Sequence, residues 1–220
     1  MPLLIAVNTN AAGVLTAMQA ARQGGEGGLD GEYGQLKPRL LELFRGDLLG
    51  LDRERAGVVA IVDDHLAAQP LLLEMQVLAS LMPPFAERVL VVDAADLSYH
   101  DGRLRHRDIP IDRVYWCSAD FLLSEPAHAP VRRVVLEQST LLAPAPEAYR
   151  AITDKRRLVT WSQQPELARD PATGLSFRLA ETLPMSARTL ADWYAERTEW
   201  VFKPVSGAAS QDLYVVLLCP

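Results

Sequence analysis

Val58-Val59-Ala60-Ile61-Val62, followed at once by Asp63-Asp64, decides the architecture. A five-residue run with no polar position cannot alternate between core and water. It therefore reads as a strand buried on both faces, the pattern of a parallel sheet covered by helices. Working outward, residues 70–82 are apolar on most sides and stop before Pro83-Pro84, which predicts a helix. Val89-Leu90-Val91-Val92 is the next buried strand, and residues 97–105 alternate around Asp101-Gly102, a strong hairpin signal. Residues 113–116 read as a strand, 131–138 as a helix and 140–143 as a strand ending at Pro144. Upstream, residues 3–7 predict a short buried strand, 11–23 a helix and the glycine-rich 24–34 a mobile loop. Residues 36–49 have helical apolar spacing, with Pro38 in the first turn.

Strands alternating with helices predict an α/β fold, a Rossmann-like and mostly parallel sheet with helices on both faces. Ligands of such sheets sit beyond the carboxyl ends of the strands. Those ends carry Asp63, Asp64 and Asp93, which equally suit helix capping or turns. From Tyr149 the texture changes to helical segments over 154–164 and 189–197, separated by a polar, proline-containing stretch. The boundary falls near Pro146, giving domains 1–146 and 147–220.

Composition limits the function classes. The 220 residues are 49% hydrophobic and carry a net charge of −6, so no general attraction to nucleic acid or to an anionic membrane is expected. The basic runs at 103–107 and 155–157 read as solvated surface. Residues 3–7 lack a preceding basic residue and meet Asn8, Thr9 and Asn10 too early for a secretion signal. No apolar window reaches the ~18 residues a membrane span needs. Cys117 and Cys219 form no framework, which points to reducing cytoplasm. His65, His100, His106 and His128 show no paired ligand spacing, and Ser118, Ser124, Ser139 and Ser210 lack a nucleophile-elbow context. No residue stands out as catalytic. Trp161, Trp193 and Trp200 read as packing anchors.

The stretch from Trp200 to Tyr214 predicts a strand, a small-residue loop and a second strand, with Lys203 where the loop begins. A lysine at a strand end can meet a phosphate as a point charge, while Gly207, Ala208, Ala209 and Ser210 let backbone N–H groups close over the anion. The apolar run 213–218 has no turn or polar cap after it, which suggests a chain cut in mid-domain and an exposed strand open to association. The oligomeric state is left open.

Five stretches match a known pattern together. They are residues 2–13 with Asn8-Thr9-Asn10, Ile61-Val62-Asp63-Asp64 with Gln69 and Glu74, and Ile111-Asp112-Arg113-Val114-Tyr115 with Asp120-Phe121. The others are Thr153-Asp154-Lys155-Arg156 and Phe202-Lys203-Pro204-Val205-Ser206-Gly207-Ala208-Ala209-Ser210 with Tyr214. In this order they resemble a circularly permuted ATP-grasp family that includes glutathionylspermidine synthase and eukaryotic glutathione synthetase. The resemblance implies a Rossmann-like pre-ATP-grasp domain followed by the start of an ATP-grasp domain, truncated at both ends. It implies ATP and Mg2+ as cofactors, with Lys155, Lys203, Gly207 and Ser210 at the nucleotide and Asn8 at the metal. Val201 and Phe202 could supply walls for adenine. It further implies a ligase joining a small-molecule carboxylate to an amine.

The chain departs from the family at Ala6, where a metal-binding glutamate is expected, at Ala208-Ala209 in the loop, and at Trp116-Cys117, where an asparagine-arginine pair is common. A methyl group cannot replace a magnesium carboxylate, so little or no ligase activity is expected from this chain alone. The rival reading is a non-catalytic ligand-binding or protein-interaction module built on the Rossmann-like part.

Overall fold

The chain opens with β1 (Leu3–Leu4), α1 (Val14–Gln23) and α2 (Leu29–Leu49). Then β2 (Ala56–Asp63), α3 (Leu72–Leu81) and β3 (Ala86–Asp93) make one β-α-β unit. A meander of β4 (Leu97–His100), β5 (Arg103–His106) and β6 (Ile109–Ile111) leads into β7 (Arg113–Trp116), α4 (Ala129–Leu136) and β8 (Leu141–Ala143). The short α5 (Pro146–Ala148) is followed by α6 (Arg156–Gln163), β9 (Arg178–Leu179), α7 (Leu190–Ala195), β10 (Val201–Phe202) and β11 (Tyr214–Val215). This computed structural model describes residues 3–4, 13–23, 29–49, 55–164, 178–205 and 214–215. The chain divides into two compact units, Asn10–Pro146 and Met1–Thr9 with Glu147–Pro220.

In the first unit, four parallel strands lie in the order β3-β2-β7-β8, with Ile61 opposite both Val91 and Tyr115. The apolar run that predicted a central strand is that strand, and residues 59–62 are fully buried. Alternation along β2 sends Val59 and Ile61 to one face, where they pack with Leu15 of α1, Phe44 and Leu48 of α2, and Met75 and Leu78 of α3. The Phe44 ring meets Tyr115 edge-on at 5.3 Å. Each such side chain contributes about 1.5–3 kcal/mol relative to exposure. Trp116 lies on the other side of β7's alternation and meets His128, just before α4.

The predicted hairpin is present, with Asp101 at φ 49° and Gly102 at φ 77°, the left-handed pair that such a two-residue turn requires. The meander adds a strand that the sequence did not announce. β6 contains Pro110, which lacks a donor, and it is tolerated because β6 is the edge strand beyond β5.

Two expectations are corrected. Helix α2 starts at Leu29, inside the segment expected to be a mobile loop, and Pro38 lies within it rather than in its first turn. Leu29, Tyr33, Leu36 and Leu40 repeat at helical spacing in the sequence, a signal that competes with glycines costing about 1 kcal/mol each. The opening strand, read as part of the 1–146 domain, pairs instead in parallel with β9, placing Leu3 opposite Arg178 within the second unit. An apolar run specifies that a strand forms, while its partner is set by long-range pairing. Among the described residues no helix is long and apolar enough to cross a membrane.

Candidate functional site

From β2 the chain crosses to β3 on one side and returns to β7 on the other, so the connections diverge at the carboxyl ends of β2 and β7. Open α/β sheets place ligands at such a switch point. Here it is filled from within. Asp64, just past β2, sets Oδ1 2.6 Å from Nε2 of His128, and its Oδ2 accepts a hydrogen bond from the Ser118 hydroxyl. The other ring nitrogen of His128, Nδ1, lies 2.7 Å from Oδ2 of Asp120. The same Asp120 carboxylate accepts from the Glu125 N–H at 2.8 Å and the Ser124 hydroxyl at 2.9 Å. His128 is 1% exposed and stands edge-on to Trp116 at 4.7 Å.

The electrostatics follow from this packing. Burial opposes a charged imidazole at His128, yet the hydrogen bonds and charges of Asp64 and Asp120 together hold its pKa above the ordinary 6.5. Burial acts against the Asp120 charge as well, but donation from Glu125, His128 and Ser124 keeps that carboxyl below its usual value. Asp63, on the opposite side of the alternation from Asp64, is 5% exposed. Burial pushes its carboxyl up to about 6, against the stabilising N–H of Asp64 and with help from the charges of Asp64 and Asp93. Asp93 serves as a cap, accepting from Leu66 N–H at 2.8 Å and Ala95 N–H at 3.0 Å.

The first helix start of this unit is also taken. Buried Glu74 of α3 accepts from the N–H groups of Leu15 and Thr16, each at 3.0 Å, and from the Thr16 hydroxyl at 2.6 Å. A helix N-terminus attracts anions, and here the protein's own carboxylate occupies it.

The second unit is arranged differently. Lys155 stands at the start of α6, and its backbone N–H donates to the Val205 carbonyl at 3.3 Å, two residues beyond Lys203. Burial lowers the Lys155 pKa first, and the charge of Lys203 lowers it further against the opposing pull of Asp154. The Asp154 carboxylate is engaged by Arg156, through N–H at 2.9 Å and Nε at 3.0 Å, and is held at about 2. The two lysines predicted from the sequence are thus brought into one electrostatic neighbourhood.

An aromatic cluster sets the orientation of β10. Trp193 meets Trp200 at 5.2 Å and Phe202 at 5.9 Å, while the Arg188 guanidinium lies 5.2 Å from both indoles. Trp193 also donates to the Met185 carbonyl at 2.8 Å, and α7 begins with a Thr189–Asp192 capping box. Phe202 therefore faces this cluster, whereas Val201 is 50% exposed. Adjacent strand residues point to opposite faces, so these two cannot wall one adenine pocket together.

Asn8, Gly207 and Ser210, together with Ala6, lie outside the described residues. Among the described residues no group of three or more His, Cys, Asp or Glu side chains is placed to hold a metal ion. The Asp64–His128–Asp120 cluster was missed by sequence reasoning. Asp64 and His128 are 64 positions apart, and the available signals were only Asp64 at the end of a predicted strand and Asp120 beside the 111–115 stretch. No family model, curated protein or solved structure matches the chain. The class defined by the fold is an α/β protein whose parallel sheet, flanked by helices, is joined in the chain to a second compact unit.

Proposed function

We propose that the second unit holds an ATP-grasp-type nucleotide-binding element, and that the chain is a relative of ATP-dependent carboxylate–amine ligases, inactive by itself. The observation that carries this reading is the neighbourhood of Lys155 and Lys203, tied by the Lys155 N–H to Val205 carbonyl hydrogen bond. Two ammonium groups that raise each other's electrostatic energy fit a polyphosphate, because an anion between them removes that repulsion. The first unit supports the assignment from the other direction. Its strand ends carry Asp63, Asp64, Asp93 and Asp120, and its first helix start already holds Glu74, so phosphate would meet carboxylates there.

In this reading Lys155 and Lys203 orient and neutralise phosphates, Gly207 and Ser210 close over them, and Asn8 contributes to magnesium. ATP, when bound, supplies the phosphoryl group that activates a carboxylate toward an amine. The substrates are a small-molecule carboxylate and an amine, and the compartment is a reducing cytoplasm. Thermal unfolding of the full chain with increasing Mg·ATP tests the proposal. At a nucleotide concentration one hundred times Kd, binding stabilises by about 2.7 kcal/mol. The shift should disappear in Lys155→Ala and Lys203→Ala. A wild-type chain unmoved by millimolar Mg·ATP would leave the non-catalytic module as the better account.

A further inference from the structure

His128 is the most enclosed ionisable side chain at the strand ends, and both of its ring nitrogens face carboxylate oxygens, at 2.6 and 2.7 Å. A carboxylate only accepts, so both contacts are hydrogen bonds only when both nitrogens carry protons. From this geometry we propose that Asp64, His128 and Asp120 form a pH-sensitive latch that fastens the segment 118–128 to the end of β2 while the imidazole is protonated, and loosens it on deprotonation.

The two contacts are not equivalent. Asp120 is only eight positions from His128 and is caged by Glu125 N–H and the Ser124 hydroxyl, so that contact is internal to the segment. Asp64 belongs to the sheet, 64 positions away, and its contact with Nε2 joins segment to sheet. Loss of one proton leaves a ring lone pair facing a carboxylate oxygen. The local Asp120 contact is retained by its cage, and the Asp64 contact opens. The Cys117 N–H to Val62 carbonyl bond at 2.8 Å continues the strand ladder and stays, as does the Ser118 hydroxyl bond to Asp64, so release begins beyond Ser118.

Most of the other charges near the ring have partners of their own. The 3-10 turn Ala94–Asp96 packs against the turn Pro126–His128 and brings Asp93 and Asp96, of which Asp93 is engaged by backbone donors. On α4, Arg132 donates to the Leu123 carbonyl at 2.6 Å, and farther along Arg133 pairs with Glu137. Ser118 shares Asp64, and Glu125 contributes its N–H to Asp120. The imidazole therefore answers chiefly to Asp64 and Asp120. Its folded-state pKa lies above 6.5, so the latch contributes full stability below about 6.5 and loses it as pH rises through the folded value.

The test is NMR on the full chain from pH 5.5 to 9.5, following the ring nitrogens of His128 and amide exchange at residues 118–125. Exchange is expressed as protection against the intrinsic rate at each pH. We expect a doubly protonated ring at low pH, a midpoint above 6.5, and at least a tenfold fall in protection across that midpoint. His128→Gln should flatten the protection profile, and if that variant fails to fold the wild-type titration decides alone. A ring that stays neutral, a ring that stays doubly protonated throughout, or a titration that leaves protection unchanged overturns the latch. An unaltered profile in folded His128→Gln does the same.

Discussion

The carboxyl ends of β2, β3 and β7 and the neighbourhood of Lys155 treat charge in opposite ways. In the first unit, acids are supplied with donors from the protein itself: Glu74 by the start of α1, Asp93 by Leu66 and Ala95, and Asp64 and Asp120 by His128 and serines. In the second unit the charge of Lys203 lowers the Lys155 pKa, and Asp154, the residue just before Lys155, pairs with Arg156 while still pulling the other way. Hydrogen-bonded acids hold a fold together, while two like charges near one another are the feature on which the nucleotide proposal rests. The difference sets the hydrogen-bonded strand ends apart from the surface proposed to meet phosphate.

The largest expected effect attacks the scaffold side. Glu74→Ala removes the acceptor for two backbone N–H groups and a hydroxyl, and should cost about 3 kcal/mol in urea unfolding of the full chain. A change within experimental error would show that Glu74 is not holding the start of α1. Next comes Asp63, the acid whose folded pKa is raised to about 6. Because the folded state keeps its proton more tightly than the unfolded chain, native stability falls as pH rises between about 4 and 6. Asp63→Asn should gain about 1–2 kcal/mol at pH 7, a figure already reduced for solvent reaching the strand ends, and almost nothing at pH 3.5. Equal gains at both pH values would remove the titration argument. The smallest effect lies in the second unit. Lys203→Met should raise the Lys155 ionisation midpoint, measured on carbon-labelled methylated lysines, by withdrawing a neighbouring positive charge. A midpoint that does not move would separate the two lysines and weaken the nucleotide proposal at its source.

Much of the first unit was legible because its signals are local. The 58–62 run, the 89–92 run and the Asp101-Gly102 turn each contain their own reason for forming, and β2, β3 and the β4–β5 hairpin appear where those signals lie. In the second unit the helical reading of 189–197 appears as α7, Leu190–Ala195, with Thr189 as its cap rather than its first residue. What escaped depends on partners remote in sequence. Residues 29–35 look like a loop by glycine content, yet the helix that runs beyond Pro38 begins at Leu29. The opening strand gives no sign that its neighbour is Arg178 rather than a strand of the central sheet. His128 has no motif around it, and becomes informative only when the fold delivers Asp64 to one nitrogen and Asp120 to the other. The two lysines were legible as types and positions, but their proximity required the fold.

Cys117 has a practical consequence. Its thiol is in no disulfide, follows β7 directly, and is kept from ionising chiefly by burial, with the charges of Asp63 and Glu74 adding to the effect. Thiolate is the form that alkylating reagents attack, so this half-buried sulfur reacts slowly while the sheet is closed and faster once it opens. In a chain carrying Cys219→Ser, the rate of maleimide uptake therefore becomes a clock for opening of the parallel sheet, readable by mass in dilute samples without any added dye.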